Sequence, residues 1–322
     1  MKSAVVVPTN RAERMIQFIE TWAPQFHKPD VRLIVVEDSP QRNLAVADWI
    51  EYYNHQDIKD RLGDKAECIP TLSGGCRDFG FWLAYQDPSI DMVVSLDDDV
   101  LPLPHLDFLA MHWIALETPQ NLRWLTLFPG FPLRGEPYRP LMGKPVFNLG
   151  LWKGFPDVDA YHQLRNPDCA KTFAEYKDLY RTHLIPRGMY FPACGMNWAC
   201  RREVVPYLYF PRLPEGMKRF DDIWGGLVFK RLADMYGWPV SYGPPALRHE
   251  RASDPLNNLQ QEMFGYALNE EMWRVLDRTA GGDSPLDGYK WIAEYIGSVF
   301  PQLQETTRLM KVWSSLFEDG QN

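Results

Sequence analysis

The chain has 322 residues, 45% of them hydrophobic and 14% aromatic, which is ample material for a sizeable core. Its net charge of −8 leaves no basic footprint, so a nucleic-acid backbone is a poor partner. Five cysteines, an odd count with no Cys-x-x-Cys pair, argue against a disulfide framework or a structural zinc and point to a reducing, cytoplasmic setting. The Val run after Met1-Lys2-Ser3 is too brief for a signal peptide, and no apolar stretch has the length of a membrane span.

Ala4 to Val7 reads as a buried strand that stops at Pro8-Thr9-Asn10. Met15, Phe18, Ile19 and Trp22 recur at helical spacing over residues 11 to 25. Leu33 to Val36 is a second apolar strand, closed by Glu37-Asp38. Residues 43 to 54 and 75 to 86 are expected to be helical, and Met92 to Leu96 is a third strand that ends abruptly at Asp97. Strands alternating with helices predict a parallel α/β sheet. Residues 129 to 170 are rich in Pro, Gly and aromatics without clear periodicity and read as a functional loop region. A helix is expected over 222 to 236, and several more over 257 to 317. The predicted organisation is a domain over residues 1–256 with a helical C-terminal extension, 257–322, packed on it.

Ligands of open α/β sheets bind beyond the carboxyl ends of the strands. Asp38 and the run Asp97-Asp98-Asp99 are therefore expected along one edge. Three adjacent carboxylates repel one another unless solvent or a cation offsets the repulsion, and oxygen ligands of this kind suit Mg²⁺ or Mn²⁺. A divalent ion held there binds a diphosphate and stabilises it as a leaving group. The plain alternative is a solvated turn or a helix cap. Asp221-Asp222, before a helix, reads either as an acceptor of sugar hydroxyls or general base, or as acids favoured by the helix dipole. His249 is a candidate further metal ligand, and Arg77, Arg134 and Arg165 are candidate phosphate clamps. Ser73-Gly74-Gly75 offers backbone N–H groups but lacks a full phosphate-loop pattern.

The ordered set of segments resembles the reversibly glycosylated polypeptide family, which includes plant UDP-arabinopyranose mutases (glycosyltransferase family 75). It begins with Val7-Pro8-Thr9-Asn10-Arg11 and Val35-Val36-Glu37-Asp38, then Leu62-Gly63-Asp64-Lys65-Ala66, Cys76-Arg77-Asp78-Phe79-Gly80 and Leu96-Asp97-Asp98-Asp99. It continues through Pro156-Asp157-Val158-Asp159-Ala160, Phe191 to Asn197, Arg219-Phe220-Asp221-Asp222 and His249 to Pro255. The resemblance implies a glycosyltransferase-A type fold, a Rossmann-like mixed sheet with flanking helices. It implies a UDP-sugar as partner, such as UDP-arabinose or UDP-glucose, with Mn²⁺ or Mg²⁺ framed by Asp97, Asp99 and His249. Pro8, Thr9, Arg11, Asp38, Lys65, Arg77 and Asp98 would meet the nucleotide, and Arg134, Asp221 and Asp222 would serve catalysis. The implied activity is that of a mutase, with autoglycosylation or UDP-sugar hydrolysis as variants and a homo-oligomer as a compatible assembly. The alternative is a catalytically weak nucleotide-sugar binding subunit of a larger complex.

Plant members carry two arginines in the loop that here reads Phe128 to Arg134. The second matches Arg134, while the first, associated with sugar attachment, aligns with Pro129. Proline has no nucleophile, so this chain is expected to label itself poorly.

Overall fold

The computed structural model describes residues 1–124, 133–166, 181–250 and 254–318. Its strands are β1 (Ser3–Thr9), β2 (Val31–Glu37), β3 (Ile50–Tyr53), β4 (Met92–Leu96), β5 (Val100–Pro102), β6 (Gln120–Asn121), β7 (Met142–Gly143), β8 (Phe147–Gly154), β9 (His183–Leu184), β10 (Asn197–Arg201) and β11 (Val240–His249). The helices are α1 (Ala12–Phe26), α2 (His55–Leu62), α3 (Asp78–Gln86), α4 (Phe108–Glu117), α5 (Ala160–Arg165), α6 (Asp221–Tyr236), α7 (Pro255–Glu262), α8 (Gly265–Asp277), α9 (Pro285–Val299) and α10 (Gln304–Ser315).

The main sheet runs β3-β2-β1-β4-β10-β8-β11-β5, with β9 beside β11. The first four strands are parallel, β10 is antiparallel to both β4 and β8, and β11 is parallel to β8. The architecture is thus a mixed α/β sheet with helices on both faces, in the expected class.

The uninterrupted apolar runs of β1, β2 and β4 follow from burial on both faces. Side chains alternate across the sheet. Val5, Val7, Leu33, Val35 and Val94 meet Met15, Phe18, Trp22 and Phe26 of α1 on one face. Ala4, Val6, Ile34, Val36 and Val93 meet Phe79 and Phe81 of α3 on the other. Met272, Tyr289, Ile292 and Trp313 of the C-terminal helices join that second cluster, so these helices share the core of the sheet.

Two expected elements differ. Residues 43 to 54 do not form a helix: Ile50–Tyr53 pairs in parallel with β2, its burial alternating with period two. Asn54 then starts α2 through a reciprocal capping box with Asp57. Cross-strand pairing and that cap outweigh the helix-forming residues before them. In the expected loop region, β8 is a central strand rather than irregular chain. Its composition hides it because Gly150 is dictated by packing. A Cβ there would lie 2.2 Å from Nδ2 of Asn197, whose side-chain amide donates to Leu151 O at 2.7 Å and Pro245 O at 3.1 Å.

The topology gathers one edge. The chain leaves β1 at Thr9, β2 at Glu37, β4 at Leu96, β8 at Gly154 and β11 at His249, all on the same side, and β5 and β10 begin there.

Candidate functional site

A cleft of about 300 Å³ opens along that edge. Pro8, Thr9 and Arg11 follow or end β1, Asp38 follows β2, and Asp97, Asp98 and Asp99 follow β4. Arg77 from the turn before α3, Asp157 from beyond β8, Gln163 of α5, Arg219 and His249 complete the parts used below. Strands stand roughly 4.8 Å apart. Four steps separate β2 from β8, so Asp38 and Asp157 follow strands on opposite sides of β4, whose end carries the acidic run.

Each carboxylate of the run meets a counter-group, Arg11 being shared by two of them. Asp97 pairs with Arg77, whose guanidinium is buried and also donates to Gly74 O at 2.8 Å, Ser95 Oγ at 2.8 Å and Gly195 O at 2.7 Å. The guanidinium also lies over the Phe210 ring, 5.2 Å from its centroid. Room for it exists because residue 195 is glycine; a Cβ there would stand 2.9 Å from Arg77 Nη1. Four of the five N–H donors of an arginine are thereby committed, so Arg77 positions Asp97 rather than waiting for a phosphate. Asp98 accepts from Thr9 Oγ1 at 2.6 Å and pairs with Arg11, which also reaches Asp99 at 3.4 Å. Arg11 is the half-exposed cation at the cleft mouth, 37% accessible at its side chain.

His249 donates from Nδ1 to Phe155 O at 2.8 Å, which leaves Nε2 facing Asp99 Oδ1 at 3.9 Å. That backbone bond fixes the tautomer whose Nε2 lone pair is free for a cation. Burial, and then the charge of Asp97, pushes Asp99 up to about 6. Burial opposes ionisation of Asp97 too, but the Arg77 charge and hydrogen bond hold it below the usual carboxylate range. Among the described residues no three His, Cys, Asp or Glu side chains are already gathered as metal ligands. Asp97, Asp99 and the Nε2 of His249 are nonetheless a donor set whose chemistry suits Mn²⁺ or Mg²⁺.

Asp38 accepts from Ser73 N at 3.0 Å and contacts His55 Nε2 at 2.7 Å. His55 had no role in the sequence reading; only its position directly after the helix cap Asn54 hinted that it is fixed in place. Asp221 and Asp222 do not line the cleft and sit behind its wall. Asp222 accepts from Gly195 N and Ile223 N, both at 2.8 Å, and Asp221 accepts from Asp222 N at 3.0 Å. Burial, and then the neighbouring charges of Asp221 and Asp157, raises Asp222 to about 8, and burial raises Asp221 to about 6.

Three expected residues lie apart, among them Arg165, which is exposed and not in the cleft lining. Lys65 donates to Ser315 O at 3.0 Å, against the C-terminal helix, because it stands in the short 3₁₀ turn that α10 packs on. Arg134 is exposed and is not in the cleft lining, and Pro129 falls outside the described residues. Asp157 and Arg219 stand in the motifs of the resemblance but carried no assigned role; both reach the cleft, Arg219 braced by Glu262 Oε1 at 2.8 Å.

The model of the family described as reversibly glycosylated polypeptide matches residues 2–317. The chain belongs to the reversibly glycosylated polypeptide family. Among its relatives, probable UDP-arabinopyranose mutase 4 of Arabidopsis thaliana is 33% identical, covering 98% of this chain and 90% of the relative. UDP-arabinopyranose mutase 3 of the same plant is 31% identical over 98% of this chain and 90% of its own length. The solved structures that resemble the chain include glucosyl-3-phosphoglycerate synthase from Mycobacterium tuberculosis in complex with Mn²⁺, UDP and phosphoglyceric acid. That likeness has a TM-score of 0.47 at 15% identity, covering 83% of this chain and 78% of that one. Among the described residues, no helix of this family member is long and apolar enough to cross a membrane.

Proposed function

We propose that the chain is an enzyme of glycosyltransferase-A type that binds a UDP-sugar together with a divalent cation and interconverts the ring forms of its sugar, as a UDP-arabinopyranose mutase does. The observation that carries this reading is the convergence of Asp97, Asp98 and Asp99 with Arg11 and His249 in one cleft at the carboxyl edge of the sheet. The names of the family relatives support the substrate class.

Asp97, Asp99 and His249 would hold Mn²⁺ or Mg²⁺, which when bound supplies positive charge to a departing diphosphate. The other roles belong to this chain. Arg77 locks Asp97 so that its carboxylate enters the site without a search over rotamers. Arg11 sits at the mouth with an N–H fork suited to oxyanions, and a bound diphosphate competes with Asp98 and Asp99 for it. Asp38, fixed by His55 and Ser73, offers a carboxylate to the N–H of a uracil at the β2 end. Asp157, which lines the cleft, keeps a buried carboxyl near the sugar end, where a proton can be held or accepted as the ring oxygen attached to the anomeric carbon changes, and the buried Asp222 acts on it from behind the wall through its charge. Arg134 and Lys65 have no part in this scheme.

Incubation of the chain with UDP-arabinopyranose and Mn²⁺, followed by chromatography of the nucleotide sugars, tests the reading. UDP-arabinofuranose is the expected product, with protein mass unchanged. Free arabinose without the furanose form would redirect the site to hydrolysis, and a stoichiometric pentose adduct would redirect it to self-glycosylation.

A further inference from the structure

Gln163 is a buried polar residue of the cleft wall with half of its amide unused. It belongs to the short helix α5, whose first turn is capped by Asp159 accepting from His162 N at 2.7 Å. The side chain is buried, at 8% exposure, and lines the cleft. Its Nε2 donates to Val158 O at 2.6 Å. That bond decides the orientation of the amide, since the reverse flip would set two acceptors against each other. Oε1 is then left without a partner, and among the described residues that line the cleft Gln163 is the one whose side chain carries a buried polar atom so left. A buried acceptor without a donor is unfavourable, and folded proteins rarely keep one unless something else completes it.

What completes it follows from position. Gln163 stands with Asp157 and Arg219 at the β8 end of the cleft, across the acidic run from Asp38. Arg219 is braced by Glu262, so the cation at this end is committed. A neutral acceptor fixed in orientation complements a neutral donor, and the donors a sugar offers are hydroxyl groups. We infer that Gln163 Oε1 accepts a hydrogen bond from one hydroxyl of the donor sugar and thereby sets which sugars the cleft takes, an inference that rests on the UDP-sugar reading above. A site built to pair with a hydroxyl rejects an analogue that lacks it, because the acceptor is left buried and unpaired.

The experiment compares UDP with a UDP-sugar in the whole chain with Mn²⁺, using calorimetry on wild type and Gln163→Met. Methionine keeps the length and removes the acceptor, together with the N–H that bonds Val158 O. UDP should bind both proteins alike, while UDP-arabinopyranose should bind the variant about tenfold more weakly, a loss the size of one hydrogen bond. A second arm needs no variant: on wild type, UDP-sugars lacking one hydroxyl at a time should include a single analogue that loses about tenfold in affinity. Equal weakening of UDP and UDP-sugar in the variant, or a flat deoxy series, overturns the assignment of Gln163 while leaving the nucleotide site intact. Failure of wild type to bind UDP at all overturns the UDP-sugar reading itself, and this inference with it.

Discussion

Asp97–Asp99 and Asp221–Asp222 are both runs of adjacent carboxylates near the same edge of the sheet, yet their surroundings oppose each other. In the first run every member meets a cation or an imidazole: Arg77 for Asp97, Arg11 for Asp98, Arg11 and His249 for Asp99. In the second, no ion pair forms among the described residues: the backbone N–H groups of Gly195, Asp222 and Ile223 and the Ser73 side chain supply hydrogen bonds, and Arg77 and Arg219 act only at a distance. Cations stabilise a carboxylate as an anion. Hydrogen bonds in a buried place do so less than burial and like charge oppose it, so Asp222 rises to about 8, above the value of about 6 that Asp99 and Asp221 share, while Asp97 stays below the usual carboxylate range. The lesson is that two acidic motifs of similar appearance divide the work. One run is an open electrostatic receptacle at the cleft, and the other is a proton-holding pair behind its wall.

The largest expected effect breaks the first cluster from behind. Arg77→Ala removes a buried guanidinium, leaves Asp97 without its ion-pair partner and takes one donor from each of Gly74 O and Gly195 O. The fold should lose about 3–5 kcal/mol, read by urea unfolding, which is the cost typical of breaking a buried ion pair. A loss below about 1 kcal/mol would show that Arg77 is available to a ligand instead of committed to structure.

A smaller effect sharpens the contrast from the other side. A carboxyl whose pKa is raised on folding binds a proton more tightly in the native state. Its contribution to stability is therefore full below the unfolded value near 4 and is lost as pH rises to the folded value of about 8 for Asp222. Asp222→Asn should flatten that decline. Melting temperatures of wild type and variant should differ by an amount that shifts in the variant's favour between pH 5 and pH 8, roughly the span between those two values. A constant difference across this range would place an ordinary ionised cap at Asp222.

The parallel half of the fold was legible because its strands are buried on both faces and announce themselves as apolar runs ending in acids. Ala4–Val7, Leu33–Val36 and Met92–Leu96 fall within β1, β2 and β4. Strand β3 was not, since Leu44 to Trp49 mimic a helical pattern and the alternation of Ile50 and Tyr52 spans only four residues. Strand β8 was hidden by Gly150, whose reason is the side chain of Asn197 nearly fifty residues later in sequence and opposite it in the sheet. At the cleft, the strand-end acids could be read because topology alone delivers them to one edge. His55 and the binding of Arg77 to Ser95 and Gly195 could not, because each depends on a partner brought close only by the fold, and Gln163 could not, because its place in the wall depends on where α5 packs. The position of Asp221 and Asp222 behind the wall likewise needed the register of Gly195 against α6.

The most direct test of the division between the two clusters is a calorimetric titration of UDP into wild type, Asp99→Ala and Asp222→Asn, each with Mn²⁺ and with chelator. Wild type should bind UDP strongly only with the ion, and Asp99→Ala should lose at least about a hundredfold of that affinity. Asp222→Asn should bind UDP as wild type does while turning over UDP-arabinopyranose slowly. Equal UDP affinity in wild type and Asp99→Ala, or equal affinity with and without Mn²⁺, would contradict the account.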